Sequence, residues 1–89
     1  MATEFKISKK LADQRWKVKI RDKERTEDPH VSIMFKGKTW RLNLRDKSIM
    51  DTSPPARDIP KELLDEIKED KKFNEIKEAW NKMYPENKV

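Results

Sequence analysis

The chain has a single glycine, Gly37, and apolar–polar alternation runs into it from one side and out of it on the other. From His30 to Lys36, Val31, Ile33 and Phe35 alternate with His30, Ser32, Met34 and Lys36. From Thr39 to Asp46, Trp40, Leu42 and Leu44 alternate with Arg41, Asn43 and Arg45. A period of two puts successive side chains on opposite faces, so each run is a strand with one face on a core. Glycine takes φ > 0 without a Cβ clash, as a tight hairpin turn requires. The pattern predicts an antiparallel hairpin turning at Gly37.

The same alternation appears upstream, where Trp16, Val18 and Ile20 interleave with Lys17, Lys19 and Arg21. Phe5 and Ile7 give a fainter first strand, and residues 9–14 read as a turn or a short helical turn. Lys23 to Pro29 is polar throughout and reads as a loop. Ser48 to Met50 can add a short strand piece. Pro54 and Pro55 cannot donate to a ladder, so the sheet is expected to stop there. Pro60 then suits the first turn of a helix, with Asp58 as its cap.

Leu63, Leu64 and Ile67 form one helical stripe. Phe73, Ile76, Trp80 and Met83 form another, centred nearly opposite the first at about 100° per residue. A break or kink near Asp70 reconciles them. Tyr84-Pro85 ends the helix, because a residue before proline is pushed out of the α region. The expected fold is α+β: a three- to four-stranded antiparallel sheet, then one kinked or two short C-terminal helices packed on one sheet face. The expectation is one domain over residues 1–89, with strands over about 4–50, a proline-containing linker at 51–58 and helices over 59–84.

Composition narrows the chemistry. There is no cysteine and one histidine, so neither a disulfide framework nor a zinc site of the usual ligands is expected. One glycine excludes the P-loop and the dinucleotide fingerprint, which need several for close approach to phosphate. No cofactor and no metal are expected. The start of the chain shows no signal-like apolar run, and no stretch approaches the ~20 apolar residues of a membrane span. A cytoplasmic protein with no membrane partner is the expectation, monomeric or homodimeric.

Charge is uneven. Residues 1–50 hold fourteen Lys and Arg against seven Asp and Glu, a net +7, while residues 51–89 hold eight against ten, a net −2. Alternation places Lys17, Lys19 and Arg21 opposite Trp16, Val18 and Ile20, and Arg41 and Arg45 opposite Trp40, Leu42 and Leu44. If these strands share a sheet, five cations lie on one face and are candidates for phosphate contact. Trp16 and Trp40 fall on the core face, which argues against base stacking. The plainer alternative is a solvated face whose lysines discourage edge pairing.

Two other surfaces carry alternatives. His30 stands at a strand entrance near cations. It is the candidate catalytic residue of a metal-free RNA-cleaving enzyme, the less favoured reading because one histidine does not supply both acid and base. Trp80 and Met83 are expected to pack on the sheet; the alternative makes them candidates for a protein–protein contact through the helical end.

Glu27-Asp28-Pro29-His30-Val31, the hairpin after it, and a C-terminal helix holding Glu78-Ala79-Trp80 resemble a family of small uncharacterised prokaryotic domains. That family carries a Pro-Pro-His-x-His-Val signature at the start of a strand and an (Glu/Asn)-x-Trp near the end. Its members are often encoded in two-gene units, which implies a toxin–antitoxin setting. Here Asp28 replaces the first proline of the signature and Ser32 the second histidine, so only His30 carries over. Together these readings favour a nucleic-acid-associated or toxin–antitoxin-like binding module, with nucleic acid or a cognate protein as partner.

Overall fold

In a computed structural model of the chain, which describes residues 2–22 and 26–89, the hairpin turns where the alternation places it. Strand β3 (His30–Phe35) pairs antiparallel with β4 (Lys38–Asn43), and Phe35 faces Lys38 across the turn. Lys36 and Gly37 both have positive φ, 46° and 80°, which is the type I′ geometry that matches strand twist. Strand β2 (Lys17–Ile20) pairs with β3, and β1 (Thr3–Phe5) pairs with β2. The result is a four-stranded antiparallel meander in the order β1-β2-β3-β4. Beyond β4, Ile49 bridges Leu42, and Met50 donates its N–H to the Arg41 carbonyl, so the expected short strand piece covers that edge. The first part of the polar loop expected over 23–29 lies outside the described residues.

Between β1 and β2 stands α1 (Lys9–Asp13). Its end has a specific geometry. Trp16 donates its N–H to the Leu11 carbonyl and Arg15 to that of Ala12, while Arg15 sits at φ 75°. This is a Schellman ending with arginine at the position usually held by glycine, and Leu11 and Trp16 supply its buried apolar pair.

The helical stripes do divide into two helices. Helix α2 (Lys61–Lys68) buries Leu63 and Ile67, and α3 (Asp70–Met83) buries Phe73, Ile76 and Trp80. Between them Glu69 is extended, at ψ 137°, and its carboxylate accepts the N–H groups of Lys71 and Lys72, capping α3. One residue therefore resets the helical phase. Lys47 holds the junction from the sheet side, with its ammonium 3.2 Å from the Lys68 carbonyl and 4.8 Å from the centre of the Phe73 ring.

One buried cluster joins all these elements, from Phe5 and Leu11 through Val18, Ile33 and Leu42 to Ile67 and Tyr84. One expectation about residues 51–60 needs correction. The 51–58 segment is tied to the sheet at two points, Asp51 binding Arg41 and the Pro54 carbonyl accepting the Trp40 indole N–H at 2.9 Å, and residues 56–58 form a 3₁₀ turn. Asp58 does not cap α2. Pro60 occupies the cap position with no side-chain hydrogen bond, and Asp58 lies 3.9 Å from Lys38. No described helix is long and apolar enough to cross a membrane.

Candidate functional site

Cross-strand register decides which cations share a face. Directly paired residues of an antiparallel ladder point the same way. Glu4, Lys19, Ser32 and Arg41 form one such row across the four strands, and Lys17, Met34 and Thr39 form the next. Lys17, Lys19 and Arg41 therefore share the polar face, with Lys19 and Arg41 about 10 Å apart at the backbone. Arg21 and Arg45 lie just past the ends of their strands, not within the sheet.

Ion pairing separates these cations further. Arg41 is held by two carboxylates: Asp51 accepts its Nη2 at 2.8 Å and its backbone N–H at 2.7 Å, and Glu27 lies 3.3 Å from Nη1. The hydrogen bonds that Arg41 donates to Asp51 hold the Asp51 carboxyl below its ordinary pKa and raise that of Arg41. Arg41 thus ties the β2–β3 loop and the 51–58 segment to the edge of β4. Arg45 lies 3.7 Å from Asp28. Lys17 and Lys19 form no ion pair among the described residues, and Lys17 is exposed. The expected set of five equivalent contacts resolves into two free lysines, a structural arginine, and two arginines beyond the strand ends.

The other candidates lie inside the molecule. His30 has no exposed surface. Its ring centre is 5.4 Å from that of Trp80, and Nδ1 donates to the Asp28 carbonyl at 2.8 Å, a bond that requires the proton on Nδ1. A substrate phosphate has no route to this ring in the folded state. Trp80 is also fully buried, its indole N–H donating to the Asn87 carbonyl at 2.7 Å and its ring 4.5 Å from that of Tyr84. It is a core residue, as the favoured reading of its stripe expects, and this corrects the alternative role of Trp80 as a partner contact. Met83 is half-buried beside it, with Thr3 Oγ1 3.3 Å from its sulfur. Ser32 Oγ, on the polar face, is buried with no hydrogen-bond partner among the described residues.

Sequence reasoning missed a groove of about 480 Å³ at the hairpin end of the sheet, where Glu4 and Lys17 of the polar face meet Trp16 and Phe35 of the opposite face beside Arg15 and Lys36. A smaller cavity of about 230 Å³ continues it along Glu4, Lys6 and Lys17 toward α1. The signal was in the residue choice: a cation sits at each of the two turn positions flanking the groove, where glycine or asparagine is the ordinary occupant. Among the described residues no group of carboxylates and histidine is arranged to hold a metal ion. No family model, curated protein or solved structure matches this chain.

Proposed function

We propose that the chain is a nucleic-acid-associated binding module that contacts phosphates through the polar face of its sheet, with Lys17 and Lys19 as the central contacts. One observation carries the reading: these two lysines share that face by register and form no ion pair among the described residues, while Arg41 beside them is neutralised by Asp51 and Glu27. An ammonium already matched to a carboxylate gains little from a phosphate, whereas an unmatched one releases counterions from the nucleic acid when it binds. The role is binding, not cleavage, because the buried His30 ring reaches no substrate. The toxin–antitoxin setting implied by the family resemblance fits a small phosphate-binding chain made beside a partner. Co-purification with the product of an adjacent gene tests that setting separately.

The test of the module is fluorescence anisotropy with a single-stranded oligonucleotide across a salt series. Removing two phosphate contacts from a single strand flattens the slope of log K against log salt by about 1.4. The Lys17→Ala/Lys19→Ala protein is expected to show that change with its unfolding midpoint preserved. An unchanged slope in the double variant refutes the assignment.

A further inference from the structure

Resting on that reading, we infer that the groove at the hairpin end takes one nucleotide unit of a single strand, its base on the Phe35 ring and the flanking phosphates on Arg15, Lys17 and Lys36. The floor is aromatic. Phe35 stacks on Trp16 at 4.3 Å between ring centres and 12° between planes, and Trp16 stacks in turn on Trp40 at 5.9 Å. Trp16 and Trp40 are buried, so Phe35 is the half-buried end of a three-ring row. A base placed against it extends that row by one ring. In the free protein the Lys36 ammonium covers Phe35, 5.2 Å from the ring centre. Lys36 is exposed and flexible, so it can leave the ring to the base and move to a phosphate.

The walls match this ligand in charge. Arg15, Lys17 and Lys36 form no ion pair among the described residues, and the wall carries one carboxylate, Glu4. Three cations against one anion favour a polyanion. A carboxylate beside them suits the exocyclic amino group of a base better than a second phosphate. The backbone supports the same choice. Among the described residues three that are not glycine have positive φ: Arg15, Lys36 and Lys47. Lys47 is used inside the fold, with its ammonium on the end of α2 and near Asp70. The other two flank the groove at positions where glycine or asparagine would relieve strain, and their charges serve no carboxylate.

The expectation from the sequence that Trp16 and Trp40 argue against base stacking concerns those two buried rings; Phe35 is the half-buried ring that this inference uses. Stacking on one aromatic ring changes affinity by about fivefold to a hundredfold per base. The test compares a deoxycytidine oligomer with an abasic oligomer of the same length, which keeps the phosphates and removes the bases. The wild-type protein is expected to bind the deoxycytidine oligomer more tightly by about that factor. Phe35→Leu is expected to erase the difference, and Lys36→Asn, which suits the type I′ turn, to weaken both oligomers. Equal affinity of wild type for the two oligomers overturns the groove assignment, as does a Phe35→Leu protein that keeps the preference. In either case, binding of the abasic oligomer that is lost in Lys17→Ala/Lys19→Ala leaves the sheet-face reading standing. Failure to bind either oligomer at low salt overturns both.

Discussion

Replacing Arg15 with glycine is expected to make the protein more stable and a weaker binder. Arg15 ends α1 at φ 75°, in the left-handed region. For an L-residue that conformation costs about 1–2 kcal/mol. Glycine relieves this but gives the unfolded chain more freedom, which takes back about 0.5–1 kcal/mol. The Arg15 side chain is exposed and bonded to no carboxylate among the described residues, so little packing is lost with it. The net gain is about 0.5–1 kcal/mol, or about 2–8 °C in Tm for a chain of this size. Thermal unfolding followed by circular dichroism measures it. Arg15→Ala is the control, since it removes the charge and keeps the strain, so its Tm is expected to stay near wild type. Both variants are expected to lose the same affinity for a single-stranded oligomer. A Tm for Arg15→Gly at or below wild type refutes the reasoning that a cation is held there against the preference of the backbone.

Three further outcomes follow from the fold. Gly37→Ala is expected to cost about 1 kcal/mol, read as a lower urea midpoint; a Cβ there meets nothing within 4 Å, so the loss comes from φ 80° alone. An unchanged midpoint would show that the turn relaxes to another type. Ser32→Ala is expected to leave stability unchanged or raise it by up to about 1 kcal/mol, because the buried Oγ has no partner to lose; a loss beyond that would reveal a hidden one. Asp51→Asn is expected to destabilise by about 1–2 kcal/mol at neutral pH, since it weakens a charge-assisted pair that is partly exposed. The folded-state pKa of Asp51 lies below its unfolded value of about 3.9. Its contribution is therefore complete above that value and lost as pH falls through the depressed folded pKa. The difference between wild type and Asp51→Asn in urea midpoint should narrow through that acid range, and a constant difference would place the effect elsewhere.

Local rules made the sheet and the helix break legible. Alternation around Gly37 is a period-two signal that one buried face enforces residue by residue, and the two helical stripes are incompatible with one straight helix. The missed features depend on partners distant in sequence. Arg41 reads as one of five equal cations until Asp51 and Glu27 are seen to close on it. His30 and Trp80 look like surface candidates until their rings meet across fifty residues of chain. The end of α1 was obscured because arginine stands where a glycine would have announced it. The groove is hardest to read, since its cations come from the end of α1, from β2 and from the hairpin turn, and only the register brings them together. Phe35 looked like one more core residue of an alternating strand. Its position at the end of the aromatic row follows from where Trp16 enters the sheet, which the end of α1 decides.

The unpaired cations of the sheet face and groove are the centre of this account, and the salt dependence of binding tests them most directly. Contacts from Arg15, Lys17, Lys19 and Lys36 to four phosphates of a single strand correspond to a slope of log K against log salt of about −2.8. Anisotropy titrations of the wild-type protein with a labelled deoxycytidine oligomer at several salt concentrations should give that slope. A slope near zero, or no binding at the lowest salt, would contradict it.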